Sequence, residues 1–357
     1  MNAEQSWKLI FNKLVQRVDL DLTEARWAMS QIISNETTPA QVGGFLLAIR
    51  TKGESVTELS GFVDILLEHS VKPALASDAI DIVGTGGDQL GTVNISTMAA
   101  ILVAACGFPV LKHGSRSASG KTGSSEMLEA LGVNLDLSPE QIGAVFAKTG
   151  ISFFFAPLFH PALKNVVAIR RELGIPTTFN YLGPLANPVQ PVATALGVAN
   201  ADIAPLLASE MASRGRTALV FRGSDGLDEL TTTGPSTIWL VSGGKVTEST
   251  FDPEQLGIAR AKVEDLIGGD AIANAETARL VLAPNSSLTG EQAAILDIVA
   301  LNAAAGIASY ELSKSPGNFD LTLELAKAYE LARSAIQAGA AISKLNEWVS
   351  TTQNTGE

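Results

Sequence analysis

The hydrophobic period of this chain changes at Ala79. Upstream, apolar residues recur at helical spacing: Trp7, Ile10, Phe11, Leu14 and Val18, then Met29, Ile32 and Ile33. Thr38-Pro39-Ala40-Gln41 reads as a capping box with proline at the first helical position, ahead of Val42, Phe45, Leu46 and Ile49. Ser55-Val56-Thr57-Glu58 repeats the device before Leu59, Phe62, Val63 and Leu66. No strand pattern intervenes, so residues 1–75 are expected to form a small all-helical domain. Downstream the pattern alternates. Ile80-Asp81-Ile82-Val83 is a short β-rich run ending in glycine, and a helix-forming stretch runs from Thr97 to Cys106. A strand at Pro109-Val110-Leu111 and a helix over Ser125–Leu131 follow, then strands at 151–155, 194–198, 217–221 and 237–241 with helical patterns mostly between them. This alternation predicts an α/β domain over residues 76–357 with a mostly parallel central sheet. After about residue 288 the pattern returns to long Ala-rich helices, and the residues from about Ser350 read as a disordered tail.

Composition narrows the function classes. Hydrophobic residues make up 46% of the 357 and charged residues only 17%, and the mean hydropathy is +0.22. The apolar segments read as broken by charge, Gly or Pro before reaching the roughly 18–20 residues that span a bilayer. The amino terminus lacks the basic and apolar regions of a secretory signal. The single cysteine, Cys106, excludes an internal disulfide and a cysteine-based zinc cluster. A cytoplasmic enzyme is therefore expected. The net charge of −12 argues against a nucleic-acid-binding role, which needs a basic footprint, yet allows a local site for a small phosphorylated molecule.

Four segments carry candidate chemistry. The first is Gly84-Thr85-Gly86-Gly87-Asp88, followed by Thr92-Val93-Asn94-Ile95-Ser96-Thr97 at the start of a helix. Glycines let backbone amides approach an anion. Asn94, Ser96 and Thr97 can donate side-chain hydrogen bonds and cap a helix whose amino terminus favours negative charge. The spacing is neither a dinucleotide fingerprint nor a Walker loop, so the segment reads as a phosphate cradle or as a tight capped turn. The second, Lys112-His113-Gly114-Ser115-Arg116-Ser117-Ala118-Ser119-Gly120-Lys121-Thr122-Gly123-Ser124, combines three cations with hydroxyls and small residues. That suits a mobile lid over phosphates, or a solvated surface loop.

The third, Asp225-Gly226-Leu227-Asp228-Glu229, places carboxylates on a turn, a hard oxygen site suited to Mg²⁺ or a merely solvated acidic turn. Thr231-Thr232-Thr233 beside it reads as the opening of a strand. The fourth joins His160-Pro161-Ala162-Leu163-Lys164, Arg170-Arg171 and the loop Phe179–Pro188. An arginine fork and an apolar wall can bind an aromatic carboxylate, although Arg170-Arg171 also fits a surface helix end and His160-Pro161 a turn.

Taken together, these segments resemble the anthranilate phosphoribosyltransferases of tryptophan biosynthesis. The resemblance runs nearly the whole chain: the first glycine loop with its Asn-Ile-Ser-Thr helix start, Lys112-His113-Gly114 through Leu128-Glu129-Ala130-Leu131-Gly132, the His160–Pro188 region, and Asp225–Glu229 in order. It implies attack by the aniline nitrogen of anthranilate on carbon 1 of phosphoribosyl diphosphate (PRPP), with loss of Mg-bound diphosphate. It also implies roles. Gly84, Gly87, Asp88, Thr92, Asn94, Ile95, Ser96 and Thr97 hold PRPP, while Lys112, His113, Gly114, Ser115, Arg116, Ser117, Ala118, Ser119, Gly120 and Ser124 close over it. Ser96, Asp228 and Glu229 bind Mg²⁺. Gly84, Ser115 and Arg170 contact anthranilate, and no side chain is assigned as acid or base. A homodimer through the helical domain, and a helical segment near 165–190 joining that domain, are implied likewise.

The chain departs from the pattern at Ser115, where the family usually has Asn, at Gly120 (Ser), Glu126 (Asp) and Pro176 (Arg in many members). The last change leaves Arg170 to carry more of the carboxylate binding. Pyrimidine nucleoside phosphorylases share the architecture but carry a different first loop. A nucleic-acid-binding relative is opposed by the acidic charge and the intact Asp228-Glu229 pair.

Overall fold

A computed structural model describes residues 6–116, 122–284 and 287–355, with the side chain of Asn318 also outside the description. In chain order the elements are α1 (Trp7–Val15), α2 (Leu22–Ile33), α3 (Pro39–Lys52), α4 (Val56–Glu68), β1 (Ile80–Gly84), α5 (Ile95–Ala105), β2 (Val110–Gly114), α6 (Ser124–Leu131), α7 (Pro139–Thr149) and β3 (Ile151–Phe155). There follow α8 (Ala156–Phe159), α9 (Lys164–Leu173), α10 (Phe179–Leu182), β4 (Ala193–Gly197), α11 (Ala204–Ser213), β5 (Thr217–Gly223), β6 (Ser236–Ser242) and β7 (Lys245–Phe251). Four helices close the chain: α12 (Ala271–Val281), α13 (Gly290–Lys314), α14 (Leu321–Gln337) and α15 (Ala340–Gln353). The chain divides into two compact units, one of residues up to Lys72 with Ala156–Pro188, the other of Pro73–Phe155 with Val189 onward.

The first unit is helical. The capping boxes anticipated at Thr38 and Ser55 both form: the Gln41 amide donates to Thr38 Oγ1 at 3.3 Å and the Ser55 amide to Glu58 Oε2 at 2.7 Å. Glu58 is buried yet satisfied, accepting also from the Leu20 amide and from Lys52 Nζ, both at 2.9 Å. Phe45 and Phe62 meet edge to face at 5.7 Å in the core of this bundle. His160 is buried and donates Nε2–H to the Ala186 carbonyl at 2.8 Å, clasping the two ends of the returning segment. Burial holds its imidazole below the usual histidine range, against the opposing pull of the Ala186 and Leu66 carbonyls.

The second unit holds one seven-stranded sheet in the order β3-β2-β1-β4-β5-β6-β7. The first five are mutually parallel, and the β5–β6 and β6–β7 pairings are antiparallel, a mostly parallel sheet as the alternating pattern implies. From β1 the chain moves outward through β2 and β3, then returns to pair β4 on β1's other side. Their carboxyl ends are therefore a topological switch point, where α/β sheets bind ligands.

Several expectations are corrected here. Helix α13 is 25 residues long and, by length and composition alone, apolar enough to cross a membrane, although Asp297 and Gly306 interrupt its apolar run. Most of it is buried inside the unit, packed on β1, β4, β5 and α5. At Gly306 it comes so close to β1 that a Cβ would stand 2.7 Å from Ile82. The residues after Ser350 are helical to Gln353 rather than disordered: the Asn134 amide donates to Thr352 Oγ1 at 3.1 Å, and Gln353 Nε2 to the Gly132 carbonyl at 2.8 Å. Thr231–Thr233 do not open a strand; β6 begins at Ser236. Strand β7 went unread because its side chains are mostly exposed and lack apolar alternation, although Gly243 and Gly244, both at positive φ, mark the hairpin before it.

Candidate functional site

Four of the five parallel strands end in glycine: Gly84, Gly114, Gly197 and Gly223. The reason is steric. Asp228 lies across the ends of β1 and β4, so a Cβ on Gly84 would stand 2.1 Å from Asp228 Oδ2 and one on Gly197 would stand 1.7 Å from the Asp228 carbonyl oxygen. A Cβ on Gly223 would meet Asp225 Oδ1 at 2.3 Å, and one on Gly114 would meet Ser124 Oγ at 2.6 Å. The rim is thus shaped to admit an acidic turn on one side and the start of α6 on the other.

Beyond β1 the backbone twists through Gly86 (φ 67°), Gly87 (φ 83°), Gln89 (φ 59°) and Gly91 (φ 70°). This left-handed geometry favours glycine. The Gly86 amide is taken by Asp228 Oδ2 at 2.7 Å, and the Leu90 amide by Asp88 Oδ1 at 3.1 Å. The loop then pairs with the segment before α12, which carries no motif: Thr92 bridges Ile267, the Gly268 amide donates to the Gly91 carbonyl at 2.8 Å, and the Val93 amide to the Leu266 carbonyl at 3.0 Å. Helix α5 begins at Ile95, whose side chain is core, so Ile95 can face a ligand only through its main chain. Asn94 occupies the N-cap position but makes no capping bond; its amide is used elsewhere. Thr97 is buried at the helix start.

Glu229 accepts the Ser96 amide at 3.1 Å, seating a carboxylate on the amino terminus of α5. Lys112 lies not in a flexible loop but inside β2, where Lys112–Gly114 complete the strand. It is 2% exposed and donates to the Ile82 carbonyl and, at 3.4 Å, to Ser96 Oγ. His113 is buried beside it, its amide bonded to Asp81 Oδ1 at 3.1 Å. Burial, reinforced by Asp88, pushes the Asp228 carboxyl up to about 7; burial, reinforced by Asp228, holds Glu229 well above the usual range, with Lys112 offsetting part of it. Burial likewise raises Asp88, and it lowers Lys112 against the pull of Asp81, Glu229 and Asp228.

Asp225 is a structural member of the acidic turn: it accepts from Thr231 Oγ1 and Thr233 Oγ1, both at 2.6 Å, and from the Leu227 amide at 3.1 Å. Below the turn Asn302 of α13, fully buried, pairs with both the amide and the carbonyl of Leu230 at 2.9 Å. A lone Asn inside an apolar helix is its only trace in the sequence.

The second loop is described at its two ends; Ser117, Ala118, Ser119 and Gly120 lie outside the described residues. At one end Arg116 forms a two-pronged pair with Glu129, at 3.0 and 2.9 Å, over the ring of Phe155. At the other, Ser124 Oγ donates to the Ser115 carbonyl at 3.2 Å, and the Gly123 amide is capped by Glu126 at 2.5 Å. In the helical unit, Arg170 of α9 reaches Asn180 Oδ1 at 3.3 Å and lies 5.6 Å over the Phe179 ring. It has no ion-pair partner among the described residues, and burial lowers its pKa.

The residues converging at the switch point are thus Gly84, Gly86, Asp88, Ser96, Lys112, Asp228 and Glu229. The partly exposed Asp228 and Ser96 and the buried Glu229 present hard oxygens beside Lys112, a donor set that fits Mg²⁺. Among the described residues no three His, Cys, Asp or Glu side chains form a ready-made cage, so substrate oxygens and water would complete the shell.

Comparison with known proteins identifies the family. Residues 76–342 match the model of the glycosyl transferase family a/b domain, and residues 8–70 that family's helical bundle domain. The anthranilate phosphoribosyltransferase of Leifsonia xyli subsp. xyli is 50% identical over 355 residues, covering 99% of this chain and all of that protein. The crystal structure of anthranilate phosphoribosyltransferase from Thermus thermophilus superposes with a TM-score of 0.86 at 34% identity, covering 96% of this chain and 99% of that one. The Saccharomyces cerevisiae enzyme in complex with PRPP and Mg shares the fold, with a TM-score of 0.85 at 24% identity over 98% and 99% of the two chains. The chain belongs to the anthranilate phosphoribosyltransferase family.

Proposed function

We propose that this enzyme, a glycosyltransferase of tryptophan biosynthesis, moves the 5-phosphoribosyl group of PRPP onto the amino group of anthranilate and releases diphosphate. The observation that carries the reading is the Asp228-Glu229 pair, Glu229 buried and Asp228 partly so, held against the Gly86 and Ser96 amides at the carboxyl ends of β1 and β4. The glycine loop Gly84–Asp88 and the start of α5, from Thr92 to Thr97, cradle the phosphates through hydroxyls and those main-chain amides not already taken by Asp228, Glu229 and neighbouring carbonyls. Lys112, His113, Gly114, Ser115, Arg116 and Ser124 form the other wall; Ser117, Ala118, Ser119 and Gly120, assigned to PRPP by resemblance, lie outside the described residues.

Ser96, Asp228 and Glu229 are the residues that would hold Mg²⁺, which when bound supplies positive charge to the departing diphosphate. The substrate amine is the nucleophile, so the protein's part is to orient the two reactants and to stabilise the leaving group and the cationic ribosyl centre. Gly84 and Ser115 stand beside the acceptor. Arg170, a half-buried guanidinium without a carboxylate partner among the described residues, reads the carboxylate of anthranilate. Support for a homodimer through the helical unit comes from its exposed Val15, Val18, Leu22 and Leu47; light scattering on the purified chain tests it.

The functional test is loss of anthranilate fluorescence in the presence of PRPP and Mg²⁺, with thymidine plus phosphate as control. Consumption of anthranilate is expected. Turnover of thymidine alone would reassign the chain to nucleoside phosphorolysis.

A further inference from the structure

Asn94, Thr122, Gly269 and Asn274 form a closed ring of four hydrogen bonds. The Gly269 amide donates to Asn274 Oδ1 at 2.7 Å, Asn274 Nδ2 to Asn94 Oδ1 at 2.8 Å, Asn94 Nδ2 to the Thr122 carbonyl at 3.1 Å, and Thr122 Oγ1 to the Gly269 carbonyl at 3.0 Å. The direction of the ring is fixed by chemistry. A backbone amide can only donate and a carbonyl can only accept, so Asn274 must present its oxygen to Gly269 and its nitrogen to Asn94. Asn94 must in turn direct its nitrogen at Thr122.

Three segments meet in this ring: the phosphate loop at Asn94, the end of the second loop at Thr122, and the turn Gly268-Gly269-Asp270 that opens α12. Asn274 is its buried member, 1% exposed. The packing allows no slack. A Cβ on Gly268 would stand 2.8 Å from Asn274 Oδ1 and 3.0 Å from the Thr92 carbonyl oxygen, and one on Gly269 would stand 2.8 Å from Ala273 Cβ. One Asn94 N–H remains outside the ring, and its direction is set by the other three members.

We propose that Asn274 is a positioning residue for phosphoribosyl transfer: through Asn94 and Thr122 it holds the two substrate-facing loops in register. The inference rests on the proposed function, because only a ligand spanning both loops makes their register matter. It assigns a role to α12, a helix that carries none of the motif residues. Asn94 then acts as a strut whose free N–H is aimed, rather than as a freely rotating donor.

The test compares Asn274→Ala, Asn274→Asp, Thr122→Val and the double variant Asn274→Ala/Thr122→Val with the wild-type chain, varying each substrate in turn. Asn274→Ala should lower kcat/KM for PRPP about tenfold or more, with KM for anthranilate within about twofold of wild type. Asn274→Asp keeps the acceptor for Gly269 but cannot donate to Asn94. Were Asn94 to flip and donate to the new carboxylate, its oxygen would face the Thr122 carbonyl. It should therefore fall as far as Asn274→Ala, whereas a merely structural role in holding the α12 turn would be rescued by Asp. The double variant should lose no more than the worse single one, since a ring is opened only once.

An unchanged kcat/KM for PRPP in Asn274→Ala, rescue by Asp, or multiplying losses in the double variant would overturn the proposal. If Asn274→Ala does not fold, Asn274→Asp and Thr122→Val carry the same comparison. A wild-type chain inactive on anthranilate would instead sink the functional reading beneath it.

Discussion

Asp228 Oδ2 accepts the Gly86 amide at 2.7 Å while its own backbone crosses the end of β4 at Gly197. One residue thus fixes the glycine loop with its side chain and rests its main chain on the neighbouring strand. The two contacts differ in how they yield. At Gly84 an added methyl meets a carboxylate oxygen, which can rotate away at the loss of the Gly86 bond; at Gly197 it meets a backbone carbonyl, which cannot rotate alone. Gly197→Ala should therefore lower the melting temperature more than Gly84→Ala, while both reduce kcat/KM by a hundredfold or more, on the order of 3 kcal/mol in the transition state. Equal melting temperatures for the two would contradict the packing described.

The acidic turn also makes stability depend on pH. Asp228 titrates at about 7 when folded against 3.8 ordinarily. A raised pKa means that the fold favours the protonated form, so this contribution is complete below about pH 4, declines as pH rises and is lost by about pH 7. Glu229 and Asp88 are displaced in the same direction. The melting temperature of the metal-free chain should fall across that window, and Asp228→Asn should flatten the fall. Mg²⁺ with diphosphate should stabilise the wild type more as pH rises, because the ion needs the carboxylates deprotonated. In Asp228→Asn with Glu229→Gln, activity should respond only weakly to Mg²⁺. An unaltered Mg²⁺ titration in that variant would remove the pair from the metal site.

Arg170 offers a separable effect. Replaced by alanine it should raise KM for anthranilate about tenfold or more, as expected for a charge-assisted pair, with KM for PRPP nearly unchanged. Arg170→Met should behave alike yet melt within a few degrees of wild type, since relief of the desolvation of a half-buried guanidinium without a carboxylate partner among the described residues offsets the lost bond to Asn180. Equal loss of affinity for both substrates would refute this role.

Asn302 is a stability prediction with a catalytic echo. Asn302→Leu leaves the amide and carbonyl of Leu230 without their buried partners, each costing about 1–3 kcal/mol. Denaturant unfolding should show a loss on the order of 2–5 kcal/mol, and PRPP turnover should fall because Leu230 directly follows Glu229. Asn302→Asp keeps only the acceptor and should not restore it.

What the sequence discloses depends on whether a residue's partners are near it in the chain. Capping boxes at Thr38 and Ser55 are local and legible, as are strands with buried faces and the glycine loop itself. The residues that organise the site from a distance are not: Asn302 meets Leu230 across 72 positions, and Asn274 meets Asn94 across 180. Lys112 reads as a loop cation because glycines and hydroxyls follow it, yet β2 carries it inward. The carboxyl terminus reads as a tail because its hydroxyls and amides look solvated, whereas they satisfy the backbone around Gly132 and Asn134. The pair Gly268-Gly269 before α12 was the one visible trace of the ring.

The placement of α13 bears on synthesis. Its residues from Gly290 onward cover strands β1, β4 and β5, all of which precede it in the chain. A nascent chain that has emerged only that far holds a sheet with an uncovered apolar face, and it cannot close its core until the next helix arrives. Ribosome-bound fragments ending near residue 285 should thus be protease-sensitive and bound by chaperones, and protection should set in once Lys314 has cleared the exit tunnel.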